Sequence, residues 1–171
     1  MKKLFHIVIT ALVIACSALL APVAQAGVLE NFAENKIVDA LLRGQTLGAP
    51  ATGYIGLHTT TCTEGSAETE VTGGSYARVA VTAGLTQWAG TQSAGSTVAS
   101  SGTNGTTSNN ATISFPQSTA AWGNLQSVGY YDASTAGNQW ICIDLTAAFN
   151  VSGSGVTVSF PAASLQLQID N

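Results

Sequence analysis

"VTVSFPAASLQLQID", residues 156–170, decides the fold class. Val156, Val158 and Phe160 fall on one side of an extended chain, with Thr157 and Ser159 on the other. Leu165, Leu167 and Ile169 repeat the pattern against Gln166 and Gln168. Successive side chains of a strand point to opposite faces, so strict apolar–polar alternation marks a half-buried strand. The two runs read as a hairpin turning at Pro161-Ala162-Ala163.

The same texture extends upstream. Tyr54–His58, Tyr76–Thr82, Ala111–Phe115, Ser127–Tyr131 and Trp140–Leu145 are further strand candidates. Gly, Asn, Ser or Pro clusters separate most of them. Many short strands with turn signals between them point to an antiparallel sandwich or barrel. Residues 90–110 carry one large apolar residue, Val98, and read as an exposed loop or a polar strand pair.

One stretch reads as helix, Val28–Arg43. Leu29, Phe32, Ala33, Ile37, Ala40 and Leu41 fall toward one face at helical spacing. Glu30 and Glu34 lie near its start and Arg43 in its last turn, which suits the helix dipole, and Gly44 is a natural stop. The expected fold is therefore all-β: an antiparallel β-sandwich, jelly-roll-like or Ig-like, with one N-terminal α-helix.

The front of the chain has the three parts of a secretory signal peptide. Lys2 and Lys3 are followed by an apolar run from Ile7 to Leu20, then by Ala24-Gln25-Ala26. The run is shorter than a spanning helix of roughly 20 residues, so no membrane association is expected once the segment is cleaved. A second reading of the leader is a lipobox, Val13-Ile14-Ala15-Cys16, which would anchor the protein through a lipid on Cys16. The expected organisation is a signal peptide over 1–26, a helix and linker over 27–49, and a β-sandwich domain over 50–171. The expected location is extracellular or at the cell surface.

Cleavage after Ala26 leaves 145 residues, one ordinary domain. Lys36, Arg43 and Arg78 then face nine acids, a formal charge of −6. With no basic patch to neutralise phosphates, nucleic-acid binding is not expected. Cys62 and Cys142 remain, an even count in an oxidising compartment, and a bridge between them is expected.

Catalytic chemistry finds little footing. His58 is the one histidine left after processing, and no nucleophile motif accompanies it. A Cys62–His58 dyad competes with a disulfide at Cys62. Glu64, Glu68 and Glu70 cluster after Cys62, but without the D-x-D-x-D-G pattern of a calcium loop. No catalytic residue, metal or cofactor is expected. Asp132, ahead of "ASTAGN", reads as a turn residue, and Asp144 as outward on its strand. Tyr130 and Tyr131 are adjacent, so one faces in and one out; Tyr131 is the candidate exposed aromatic and ligand contact.

Four stretches occur in order over nearly the whole processed chain: "VLENFAENKIVDALLRGQTLGAP" (28–50), "EVTGGSYARVAVT" (70–82), "NNATISFPQSTAAWGNLQSVGYYDASTAGN" (109–138) and "VSFPAASLQLQID" (158–170). Together they resemble bacteriophage tail-fibre or minor tail proteins. The resemblance implies a β-rich virion component with no catalytic residues, and the virion as its location if the protein is phage-encoded. Such proteins begin close to the helix, without an export signal; this chain adds a leader and two cysteines.

The function expected is that of a non-enzymatic structural subunit of an extracellular fibre or surface appendage. It would self-associate through Phe32, Ile37, Leu41 and Leu42 of the helix and through strand edges, giving a homo-oligomer or fibre. The alternative is a secreted carbohydrate-binding or adhesin domain meeting a cell-surface glycan through Tyr131.

Overall fold

A computed structural model describes residues 17–19, 27–90, 98–101 and 105–169, with 17–19 as backbone alone. The expected signal peptide, Cys16 included, lies outside these residues apart from that short piece.

Among these residues, ten strands and one helix follow the order β1 Ser17–Leu19, β2 Val28–Leu29, α1 Asn31–Leu42, β3 Thr52–His58, β4 Val79–Thr82, β5 Thr106–Ser108, β6 Ile113–Ser114, β7 Gly123–Tyr131, β8 Gln139–Val151, β9 Thr157–Phe160 and β10 Gln166–Gln168. A five-stranded antiparallel sheet runs β2-β8-β7-β3-β4. A second sheet runs β1-β9-β6, and β10 pairs with β5. The chain is an all-β sandwich with one short helix.

The core lies between the sheets. Ile55, Leu57, Val128, Ile143 and Val151 of the large sheet meet Ile113, Phe115, Val158, Phe160, Leu165 and Leu167 from the other layer. Val158, Phe160, Leu165 and Leu167 are positions that the alternation marks as apolar, whereas Val156 is half-buried and Ile169, at the end of its run, is exposed. The β7–β8 hairpin is the spine. Its turn is closed by Asp132, whose Oδ1 accepts the Asn138 N–H at 2.7 Å while Oδ2 accepts the Asn138 side-chain amide at 2.8 Å. Gly137 takes the left-handed backbone that this turn needs.

Three expectations are corrected. The 156–170 hairpin does not form: β9 pairs with β6, and β10 with β5. The cause is Asn109, fully buried at the corner. Its amide donates to the carbonyls of Ala111, Phe160 and Pro161, and its Oδ1 accepts the Leu165 N–H at 2.8 Å. One side chain thus satisfies backbone groups that a hairpin would have paired. The helix starts at Asn31, because Val28–Leu29 pairs with Cys142 and Ile141 as a sheet edge. The strand read from Tyr76 begins only at Val79, because Gly73, Gly74 and Ser75 all take positive φ and turn the chain there.

Candidate functional site

Polar side chains concentrate where β3 crosses β7. His58 ends β3 and sits opposite Ser127; Gly56 sits opposite Gly129. Neither glycine can be replaced without collision. A Cβ on Gly129 would lie 2.6 Å from His58 Cε1 and from Tyr131 Cε2; one on Gly56 would lie 2.9 Å from Tyr131 Cε2. The facing glycines leave a hollow, and the rings of His58 and Tyr131 fill it.

The hydrogen bonds in that hollow have one consistent direction. Ser127 Oγ donates to the Thr60 carbonyl at 2.8 Å. It must therefore accept from His58 Nδ1 at 2.9 Å, which leaves Nε2 to accept the Tyr131 hydroxyl at 2.6 Å. His58 is thus the neutral Nδ1–H tautomer. Burial lowers its pKa to about 4; Glu70 pulls weakly the other way and Arg78 adds to the drop. Burial likewise raises the Tyr131 hydroxyl above its ordinary range.

Arg78 carries the network outward. Its guanidinium lies 3.4 Å from the centre of the Tyr131 ring and donates to the carbonyls of Ala133 and Ala136 in the β7–β8 turn. It also pairs with both oxygens of Glu70 at 2.7 Å. Glu70 Oε1 accepts the Tyr76 hydroxyl at 2.8 Å, and Tyr76 Oη accepts the Leu57 N–H. Burial pushes the Glu70 carboxyl up, but the bonds from Arg78 and Tyr76 prevail and hold it below its usual range. The motifs "GGSYARV" and "GYYDA" therefore meet in space: Tyr76 and Arg78 from one, Gly129, Tyr131 and the Ala133 carbonyl from the other.

This arrangement holds structure rather than reacting. A serine nucleophile donates its proton to the histidine that activates it. Here Ser127 donates to a backbone carbonyl, His58 has its one N–H turned toward the serine, and both are fully buried. The ligand atoms of His58, Glu68 and Cys142 lie within 4.8 Å of one another. They do not make a metal centre, because Cys142 is oxidised and both His58 nitrogens are occupied.

The disulfide joins Cys62 to Cys142 and ties the loop after β3 to β8. Asp144 does not simply face out: its Oδ1 accepts the Cys62 N–H at 2.7 Å. Tyr131 is also corrected. It is 6 % exposed, while Tyr130 is the half-buried one. The hydrogen bond to His58 and the stacked Arg78 hold it inward.

Of the helix residues, Phe32 packs edge-on against Trp140, centroids 5.3 Å apart, and Ile37 is half-buried. Leu41 and Leu42 are 76 % and 81 % exposed, and Val38 is 48 % exposed. Beside the network, a cleft of about 470 Å³ opens between the start of α1 and the loop after β3; Glu30, Phe32, Glu68, Arg78, Tyr131 and Gln139 line it. The sequence reading gave no site role to Glu30, which caps the start of α1, to Ser127, inside β7, or to Arg78, just ahead of β4, because none of them sits in a motif of known chemistry.

The buried network thus braces the β-sandwich from within at the β3–β7 pair. The family described as Podophage GP4 fiber I protein gp80 matches residues 29–168. The chain belongs to that family. Among curated proteins, none matches it.

Proposed function

We propose that the protein is a non-enzymatic structural subunit of an extracellular fibre or appendage, self-associating through the C-terminal end of α1 and through strand edges. Membership of a phage fibre family supports the structural role. The observation that carries the assembly reading is the exposed trio Val38, Leu41 and Leu42 at the helix end. Phe32 and Ala33 anchor the other end of the helix to its own sheet, so the trio is left for a neighbour.

Strand edges give the second route. β4 closes one side of the large sheet. β1, the outer partner of β9, comes from within the 26 residues read as a signal peptide. Export and processing would remove β1 and uncover the backbone of Thr157–Ser159, ready to pair with a strand of another subunit. A glycan-binding role draws less support, because the guanidinium of Arg78 covers the Tyr131 ring that would stack on a sugar.

Leu41→Asp tests the helix route. Light scattering should show assembly lost while circular dichroism and the melting temperature stay those of the parent. Unfolding of the variant would instead place Leu41 in the subunit's own core.

A further inference from the structure

We propose that the cleft between the start of α1 and the loop after β3 binds a hard divalent cation of the calcium type, with Glu30 as its buried ligand and Glu68 as a second. Glu30 is only 9 % exposed, and its Oε1 is buried without a hydrogen-bond partner. Gln139 Nε2, on the same cleft, is also buried and unpartnered. Two residues lining one cleft, each with a buried polar atom that has no partner, point to a missing occupant, because such a group costs stability.

Charge says which kind. The charges that act on Glu30 are the carboxylates of Glu68, Glu64 and Glu34. Among the described residues, no cation is paired with Glu30, Glu64 or Glu68. Arg78 is bound to Glu70, Arg43 to Asp39, and Lys36 lies over the Phe32 ring. A buried carboxylate facing other carboxylates calls for positive charge from outside.

The donors say which cation. The cleft offers carboxylates, the Asn31 and Gln139 amides (an amide can turn over to present its oxygen) and the 65–67 backbone. Gly65, at positive φ, brings that loop so close that a Cβ on it would lie 3.1 Å from Asn31 Nδ2. Flexible oxygen donors suit calcium, whereas magnesium demands a regular octahedron and zinc prefers sulfur or imidazole. A bound ion would clip the helix to the loop that the disulfide also holds.

The test is thermal unfolding of the secreted protein in about 10 mM calcium chloride, against sodium chloride of equal ionic strength. A site of the weak extracellular class should raise Tm by about 5 °C. Glu30→Gln and Glu68→Gln should each abolish that response, and Glu30→Gln should raise the calcium-free Tm by relieving the crowding of charge. Equilibrium dialysis of the unaltered protein with calcium should find one ion per chain. No calcium response beyond the sodium control, an equal response to magnesium, or a full response kept by both variants would overturn the proposal.

Discussion

Replacing both Cys62 and Cys142 by alanine should cost this fold more than any other change that leaves its core packing in place. The two residues are 80 positions apart. Closing a loop of that length in the unfolded chain removes entropy worth about 4.5 kcal/mol at 25 °C. The 145 residues after Ala26 should unfold with an entropy of about 0.3 kcal/mol/K, taking about 2.1 cal/mol/K per residue. Dividing one by the other gives a fall in Tm of about 15 °C. The assay is calorimetry of the double variant beside the parent, each with and without reductant. Reductant should lower the parent to the level of the variant and leave the variant unmoved. A variant that melts within about 3 °C of the oxidised parent would refute the reasoning. It would mean that the loop after β3 is held by its other bonds, such as Cys62 N–H to Asp144, and not by the sulfur bridge.

The remaining predictions concern the buried network and the large sheet. His58 falls from 6.5 unfolded to about 4 folded, so the folded state binds fewer protons between those values. Its contribution is fully present above pH 6.5 and is lost as pH falls through about 4, a loss of about 3 kcal/mol that urea titrations at several pH values should read. Glu30 has the opposite sign: its neutral form favours the fold below pH 4.5, and that advantage is lost as pH rises through about 7. Glu30→Gln should therefore flatten the alkaline side of the stability profile. Tyr131→Phe leaves His58 Nε2 buried without its donor and should cost about 1–3 kcal/mol in the same titration, with the β-rich circular dichroism unchanged. Gly53→Ala would drive a methyl group into the Tyr130 ring and should cost about 1–3 kcal/mol.

How much of this was legible in the sequence follows from the range of the forces involved. Strand periodicity is local, so the alternation of Val156–Phe160 and Leu165–Ile169 was readable and the all-β class with it. Pairing is not local. The partners of β9 and β10 were decided by Asn109, more than 45 positions upstream of Thr157, through bonds that no periodicity encodes. The turn at Asp132 was legible, because an aspartate ahead of Ala-Ser-Thr-Ala-Gly-Asn caps its own backbone. The direction of Tyr131 was not: alternation places Tyr130 and Tyr131 on opposite faces, but which face is inward depended on His58, Gly56 and Gly129. The cleft was the least visible feature. Glu30 reads as an ordinary helix-start acid, and only the fold brings it to Glu68, Glu64 and Gln139.

The most direct test of the structural role is negative-stain electron microscopy of the protein produced without residues 1–26, purified without denaturant and concentrated stepwise. A fibre subunit should give regular filaments or closed rings, and Leu41→Asp should reduce them to single particles of one chain. Discrete monomers of that protein at every concentration, with its disulfide intact, would contradict assembly as the function.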